Sequence, residues 1–241
     1  MKLHVLGSSS SGNGYLLYNE GEALVIEAGI KLKEVKQVLD FRLDVINGCI
    51  VSHRHQDHAG YIAEYNTAGI DVLAPEDVFT VKHHRNHAAI PGKGYKMGRF
   101  RIIPFEVTHD VTCYGYLINH PDCGRILFLT DTYLCQFKFS GLNHIIIEAN
   151  YADDILESNI FSGVEHPAMR DRLLTSHLEL KTTKAILLAN DLNAVQNIVL
   201  IHLSDRNSDE QSFINEIIAL TGKQVYAAKK GLTVDLAINP F

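Results

Sequence analysis

The amino-acid sequence predicts an α/β (α+β) fold, a four-layer αββα sandwich in which two mixed β-sheets pack face to face between outer helices. Two stretches of the chain each contain several short apolar segments typical of strands, and each also contains segments with helical spacing. The 241 residues, 46% of them hydrophobic, are enough for a large buried core. Because no linker rich in Pro, Gly or Ser divides the chain, we expect residues 1–241 to form a single domain.

The first half of the sequence predicts three strands followed by alternating helices and strands. Apolar runs bounded by Gly, Ser and Asn predict the strands, and residues 7–14, rich in Gly and Ser, predict the first turn. Helical spacing of apolar residues begins with Leu32 and Val35. The predicted order is strands over 2–7, 15–19 and 23–29, a helix over 32–41, a strand over 47–52, a helix over 59–69, a strand over 70–75 and a helix over 76–84.

The second half repeats this alternation with longer strands. Four successive apolar segments predict strands before any helix appears, and two short strands close the chain. The predicted order is strands over 100–110, 114–120, 124–131 and 144–150, helices over 167–175 and 178–190, a strand over 197–204, a helix over 209–220, and strands over 224–228 and 232–237.

The composition excludes several classes of protein. The N-terminus turns polar after a few residues, and no later segment reaches the roughly 18 apolar residues of a membrane span. We therefore expect a cytoplasmic protein with no membrane partner. A net charge of −6 argues against a uniformly basic nucleic-acid binder, although a local positive groove is compatible with it.

The four cysteines have no spacing that suggests a metal or redox motif. None belongs to a Cys-x-x-Cys pair, and in a reducing compartment such residues are small buried thiols. We expect no chemistry from Cys49, Cys113, Cys123 and Cys135.

Side chains that can bind metal are concentrated where predicted strands end. They are His53, His55, Asp57, His58, His109, Asp110, Asp131 and His202, drawn from a chain with 13 histidines. Taken singly, Asp131 suits a turn, Asp57 suits a helix cap, and the isolated histidines suit hydrogen-bonded core positions. The spacing His-x-His-x-Asp-His is more specific, since loops at strand ends can converge on one point. The pattern therefore predicts a metal site.

These residues resemble the ligand set of metallo-β-lactamase-fold hydrolases, a superfamily whose fold is the αββα sandwich. The resemblance implies two divalent ions. One ion would be held by His53, His55 and His109, the other by Asp57, His58 and His202, with Asp131 bridging them. Imidazole and carboxylate ligands suit Zn²⁺ or Mn²⁺, and iron is also compatible.

Three further segments, 7–13, 148–150 and 202–207, are similar to the WalJ/YycJ-like branch of this superfamily, bacterial proteins with exonuclease-type activity on DNA. In the last segment we expect Ser204 and Asn207 to contact substrate. Glu27 stands where the family usually has an Asp that orients the histidine loop from behind. Glu179 and Leu180 also depart from the branch, which tends to carry Gly-His-Leu-Ser-Asn where this chain has 176–180. Both departures leave the substrate open.

The resemblance implies a metal-dependent hydrolase, a phosphodiesterase or exonuclease acting on DNA or RNA through a hydroxide shared by two ions about 3.5 to 4 Å apart. Asp57 would orient the nucleophile, and His177 would contact the phosphate or protonate the leaving oxygen. Alternatively, Ser176 caps the following helix and His177 merely begins it. Hydrolysis of a thioester, lactone or lactam, and a non-catalytic metal-holding module, are the alternative functions.

A basic segment at 82–87, with Arg99 and Arg101 further along, has two interpretations. It could form a phosphate-contacting rim around the site, as in non-specific nucleic-acid binding. It could equally be the solvated end of the helix predicted over 76–84, its cations facing the negative end of the helix dipole.

Overall fold

The structure is a computed structural model that describes residues 1–238, so residues 239–241 of the predicted domain lie outside the described residues. Within that range the chain forms fourteen strands. They are β1 (Lys2–Ser9), β2 (Gly12–Tyr18), β3 (Ala23–Ile26), β4 (Ile46–Ile50), β5 (Val72–Ala74), β6 (Asn86–Ala88), β7 (Tyr95–Met97), β8 (Phe100–Val107), β9 (Cys113–His120), β10 (Gly124–Leu129), β11 (His144–Glu148), β12 (Asn197–Ile201), β13 (Gln224–Ala227) and β14 (Thr233–Asp235).

The α-helices are shorter and lie between the strands. They are α1 (Leu32–Val38), α2 (Gln56–Ala59), α3 (Ile62–Thr67), α4 (Asp153–Phe161), α5 (Ala168–Ser176), α6 (Leu180–Ala189) and α7 (Glu210–Thr221). The best-defined ends belong to α7, where the Asp209 carboxylate accepts a hydrogen bond from Ser212 N at 2.9 Å. Gly222, at φ 67°, ends this helix in the left-handed conformation. Five predicted helices are confirmed, whereas α2 and α4 were not predicted.

The strands form two mixed seven-stranded sheets, in the orders β14-β1-β2-β3-β4-β5-β6 and β13-β12-β11-β10-β9-β8-β7. Their inner faces pack together, as in the edge-to-face contact of Tyr15 with Phe128, whose ring centroids are 5.8 Å apart. Val35 of α1 and Tyr65 of α3 pack on the outer face of the first sheet. Ile186 of α6 and Phe213 of α7 pack on the outer face of the second sheet. The predicted αββα sandwich is confirmed.

The prediction of a helix over 76–84 is wrong. Only Glu76–Val78 forms a 3-10 turn, and the chain then enters the short strand β6. Val81, whose position fitted the helical spacing, is 74% exposed and contributes nothing to the core. The spacing was therefore accidental. The short strands β6 and β7 were not predicted, since three residues give too little period to recognise.

The last two strands belong to different sheets. β13 pairs parallel with β12 in the second sheet, whereas β14 pairs antiparallel with β1 in the first. The end of the chain therefore returns to the sheet that the first half builds. None of the helices among residues 1–238 is both long and apolar enough to cross a membrane.

The cysteines behave as expected. Cys49, Cys113 and Cys123 are buried free thiols, and Cys135 is partly exposed. Burial raises the pKa of the Cys123 thiol to about 12, which keeps it protonated and unreactive.

Candidate metal centre

The loop that follows β4 carries four of the predicted ligands into a narrow space. It is extended up to His55, and the single turn of α2 then presents Asp57 and His58. The loop packs on the end of the first sheet, where Ala28 N donates to His58 O at 2.7 Å. At Gly29 a Cβ would lie 1.7 Å from Asp57 O, so no larger residue fits there. A glycine after β3 is therefore required for the loop to approach this closely.

One group of ligand atoms, here called the three-histidine side, comprises His53, His55 and His109 with Asp131. These atoms all lie within 4.8 Å of one another. His53 is fully buried, and its Nδ1 lies 2.9 Å from Ser52 Oγ. That contact leaves Nε2 to face the cluster, 3.8 Å from Asp131 Oδ2. His109 Nε2 and His55 Nδ1 are 3.4 Å apart, so two ring nitrogens from different sheets meet here.

The second group, here called the carboxylate side, comprises Asp57, His58 and His202, again with Asp131. Its ligand atoms also lie within 4.8 Å of one another. His58 Nε2 is 3.2 Å from Asp57 Oδ2 and 3.3 Å from Asp131 Oδ2. His202 Nδ1 is 2.8 Å from Asp131 Oδ1. The structure thus brings all seven predicted ligands together, with Asp131 common to both groups.

Two of the alternative interpretations, helix caps at Asp57 and at Ser176, are not supported. The N-cap of α2 is His55, which makes no side-chain cap bond, so Asp57 is not a cap. Ser176 is the last residue of α5, and α6 is instead capped by Glu179, whose Oε2 accepts from Thr182 N at 3.1 Å. Glu179, which differs from the residue usual in the WalJ-like branch, therefore caps α6.

Backbone strain accompanies the site. Glu27 has φ 67°, Asp131 φ 44° and His202 φ 54°, in the left-handed region that side chains other than glycine seldom adopt. Such conformations cost about 1–3 kcal/mol each and persist where the surroundings impose them. All three residues follow strand ends, so the strain serves to aim side chains from the sheets into one point.

Glu27 supports the histidine loop from behind. Its fully buried carboxylate accepts from Ser52 N at 3.2 and 3.3 Å and lies 3.5 Å from His58 Nδ1. The Glu27 side chain, one methylene longer than Asp, thus reaches both the backbone of the histidine loop and the ring of a predicted ligand. It lies behind the loop, as the sequence predicts. This contact leaves His58 Nε2 for the cluster.

Glu148 is a site residue that the sequence reasoning did not select. Its fully buried Oε1 accepts from Nδ1 of His177 at 2.8 Å and lies 3.0 Å from Nδ1 of His202, while Oε2 accepts from Leu178 N at 3.0 Å. Burial alone would lower the pKa of His177, but the neighbouring carboxylate outweighs burial and raises it. An acidic residue at the end of an otherwise apolar strand was the available signal.

The two sides differ in charge. Burial and repulsion from His58 hold the pKa of His53 well below its usual value. Burial also opposes protonation of His58 and His202, yet Asp131 and nearby glutamates raise the pKa of both, that of His202 to about 10. Burial would raise the pKa of Asp131, but these two imidazoles lower it well below its usual value. These shifts favour a neutral imidazole at His53 and imidazolium beside carboxylate at His58 and His202.

The cluster forms the floor of an open cleft of about 340 Å³. Ser204 and Asn207 line it, as does His177. Asn207 is 3% exposed and its Oδ1 accepts from Asn159 Nδ2 at 2.9 Å, a contact that holds α4 against the loop. The predicted substrate contacts are therefore near the cluster, with Asn207 also bound to the protein itself.

The cations at the cleft differ from those that the sequence suggested. Arg85 pairs with Asp71 at 3.0 Å, and Arg99 pairs with Glu22 and Asp122, away from the cleft. The residues that line the cleft include instead Arg172 and Arg206, of which Arg206 lies 3.6 Å from Glu165.

The residues present fit a divalent metal. Among the described residues, the buried imidazole nitrogens without a hydrogen-bond partner are His53 Nε2, His58 Nδ1 and His109 Nδ1, and His53 Nε2 faces Asp131 Oδ2 at 3.8 Å. Buried polar atoms normally have a partner, so an orphaned imidazole nitrogen beside a carboxylate is typical of a metal ligand. Five imidazoles and two carboxylates are donors that divalent zinc, manganese or iron accept.

Comparisons with known proteins agree with the fold. No model of a protein family matches the sequence. The chain is 25% identical to the exodeoxyribonuclease WalJ of Streptococcus pneumoniae over 98% of this chain and 93% of that protein. Its structure is similar to the metallo-β-lactamase fold protein YhfI from Bacillus subtilis, with TM-score 0.70, 16% identity and coverage of 97% and 99%. It is also similar to the short form of human tRNase Z, with TM-score 0.65, 16% identity and coverage of 99% and 100%.

Proposed function

Because the chain has the metallo-β-lactamase fold and is similar to WalJ over nearly its whole length, we propose that it is a metal-dependent phosphodiesterase that degrades nucleic acid from an end. Residues 1–241 act as one metallo-β-lactamase-like domain, and the cofactor is a pair of divalent ions, zinc, manganese or iron. The observation that carries the proposal is that two ligand groups share the buried Asp131 on the floor of an open cleft.

Bound ions would polarise a phosphoryl oxygen, lower the pKa of water and neutralise charge in the transition state. The chain's own groups orient the reactants. Asp57, whose side chain is 23% exposed, lines the cleft beside Asp131 and accepts a hydrogen bond from the attacking water. The open cleft admits a chain end, and Ser204 provides a hydroxyl for its phosphates.

His177 delivers the proton. Its Nδ1 is held by Glu148, which fixes the ring and leaves Nε2 as the nitrogen that acts in the cleft. From there Nε2 protonates the leaving oxygen as the phosphodiester bond breaks, a contribution typically worth about 10²–10⁴ in rate.

The test is a substrate panel on wild-type protein loaded with Zn²⁺ or Mn²⁺. We expect turnover of bis(p-nitrophenyl) phosphate and shortening of DNA or RNA oligonucleotides from one unblocked end, with both activities lost on chelation and in His55→Ala. The exposed His84→Ala is the matched control and should retain both.

Cleavage of a thioester or lactone without phosphodiesterase activity would replace this proposal by acyl hydrolysis. A full metal complement with no turnover on either class would indicate a non-catalytic module. Blocked and unblocked oligonucleotide ends, in DNA and RNA forms, also establish the polarity and the preferred nucleic acid.

A further inference from the structure

The hairpin formed by β1 and β2 carries a buried amide between two predicted ligands. Asn13 is fully buried, and its Nδ2 donates to Asp57 Oδ2 at 3.2 Å. The same nitrogen lies 3.0 Å from His58 Nε2. A primary amide has two N–H donors, so it can serve Asp57 Oδ2 and, when His58 is neutral and Nε2 carries no proton, His58 Nε2 as well.

Two other residues of the hairpin extend this contact to a third ligand. Tyr15 Oη donates to Asn13 Oδ1 at 3.4 Å and lies 2.8 Å from Ser8 Oγ. Ser8 Oγ in turn accepts from His202 N at 2.8 Å. The hydrogen bonds of one hairpin therefore reach Asp57, His58 and the backbone of His202, three of the four carboxylate-side ligands.

We infer that Asn13 is a positioning residue for the carboxylate side, an inference that rests on the two-ion site of the proposed function. An imidazole that binds an ion through Nε2 no longer accepts at that nitrogen, so the Asn13 donor is then committed to Asp57 Oδ2. Tyr15 fixes the amide orientation, because its hydroxyl donates to Oδ1 and so leaves Nδ2 facing the cluster.

The amide is suited to this place for an electrostatic reason. A carboxylate at residue 13 would face Asp57 and Asp131 and would offer no donor at neutral pH. An alanine would leave Asp57 Oδ2 without this donor and free to rotate away from the cluster. Outer partners of metal ligands typically change metal affinity about 10–100-fold when removed.

The experiment measures metal affinity without substrate. Metal-free wild type, Asn13→Ala, Asn13→Asp and the control Ser11→Ala are each titrated with Zn²⁺ and with Mn²⁺ by calorimetry. Ser11 is exposed at the tip of the same hairpin. We expect Asn13→Ala to weaken one of two binding events about 10–100-fold and leave the other unchanged, with Ser11→Ala like wild type.

A second background assigns the affected event. In His109→Ala, where the carboxylate side retains its own ligands, adding Asn13→Ala should weaken the remaining event by the same factor. Two unchanged events in Asn13→Ala would overturn the inference. Wild-type or tighter binding in Asn13→Asp would also overturn it, since that variant cannot donate and would have to act as a ligand.

Circular dichroism of the metal-free proteins shows whether the Asn13 variants fold. If they do not, Tyr15→Phe tests the same inference. It keeps the ring and removes only the hydroxyl that orients the amide, so we expect the same event to weaken by less than in Asn13→Ala. Unchanged binding in Tyr15→Phe would then refute the inference. Because no substrate is present, an inactive wild type that still shows these affinity changes contradicts the proposed function alone.

Discussion

The two sides of the cluster would surround a cation with different charged groups. The three-histidine side has one carboxylate, Asp131, among three imidazoles. Burial lowers the pKa of His53 and of His109, and His55 is the exposed member, with a side chain 35% exposed. The carboxylate side surrounds buried His58 and His202 with Asp57, Asp131 and two further glutamates. One side depends on ligand geometry, and the other also depends on charge.

The difference in charge predicts which side binds a cation more tightly. The carboxylate side needs its negative charge neutralised, because adjacent buried carboxylates repel one another unless a cation or a protonated imidazole lies between them. The three-histidine side has no such need and opens onto the cleft through His55. We therefore expect the carboxylate side to hold its ion more tightly, and the following predictions test this.

The largest effect should come from the ligand that both sides share. Asp131→Asn removes a negative charge that is 2% exposed and lies within 3.3 Å of His58 Nε2. We expect both ions to be lost and phosphodiesterase activity to fall at least about 10³-fold. Elemental analysis of protein purified without added metal checks the first part. Retention of either ion at wild-type occupancy would show that Asp131 does not bridge.

Single-side variants should separate the two positions. His109→Ala removes a ligand from the three-histidine side, and His202→Ala removes one from the carboxylate side. We expect each variant to lose one equivalent of metal and about 100-fold or more in activity, since in the proposed mechanism both ions would act on the same phosphoryl group. Competition with a chelator should find the ion left in His109→Ala bound more tightly than the ion left in His202→Ala. The reverse order would refute the comparison.

His177 lies next to both sides without belonging to either of the two predicted ligand sets. His177→Gln should lower kcat about 10²–10⁴-fold while metal content and KM change little. His166→Ala, an exposed histidine in the segment before α5, is the control and should be unaffected. A loss of metal in His177→Gln, measured by elemental analysis, would instead make the residue a ligand, consistent with its place beside Glu148 and His202.

Acid should empty the cluster. A proton and a metal ion compete for each imidazole, so occupancy and activity should decline together as the pH falls from about 8 to about 5. Dialysis at a series of pH values followed by elemental analysis measures occupancy. Equal metal content at pH 5 and pH 8 would contradict the site.

A histidine far from the cluster separates this loss from acid unfolding. Burial lowers the pKa of His144 to about 4, and the ring bonds to Leu236 O at 2.9 Å. Because the unfolded chain takes up this proton at higher pH than the folded protein, stability falls as pH drops from about 6.5 toward 4. The expected loss between pH 7 and pH 5 is ~2 kcal/mol.

His144→Gln should remove that part of the pH dependence of urea unfolding and leave the pH at which metal is lost unchanged. A shift of metal loss to the same extent as the shift of unfolding would mean that acid releases the ions by unfolding the protein.

Much of the fold, and the meeting of the predicted ligands in one cluster, could be predicted because the signals are local. The four predicted ligands in 53–58 lie on one loop, and His109, Asp131 and His202 each lie one or two positions after the end of a strand. The direction of a buried strand fixes the place of the residue after it. Strand ends can therefore be assigned to a shared edge before any coordinates are known.

The missed residues depend on partners that are distant in the chain. Glu148 is a site residue only because His177 and His202, 29 and 54 positions away, meet its carboxylate. Asn13 acts through Asp57, 44 positions away. The incorrect prediction of a helix over 76–84 has a different cause. The apolar spacing of a helix is present there, but no hydrophobic core lies against that segment to bury the apolar face.

The ligands come from both sheets, and this links metal content to the cohesion of the sandwich. The loop after β4 belongs to the first sheet, whereas His109, Asp131 and His202 follow strands of the second. A cation that binds only the folded protein adds its binding free energy to the free energy of unfolding. The concentration of free metal would thus affect the melting temperature of the protein as well as its activity.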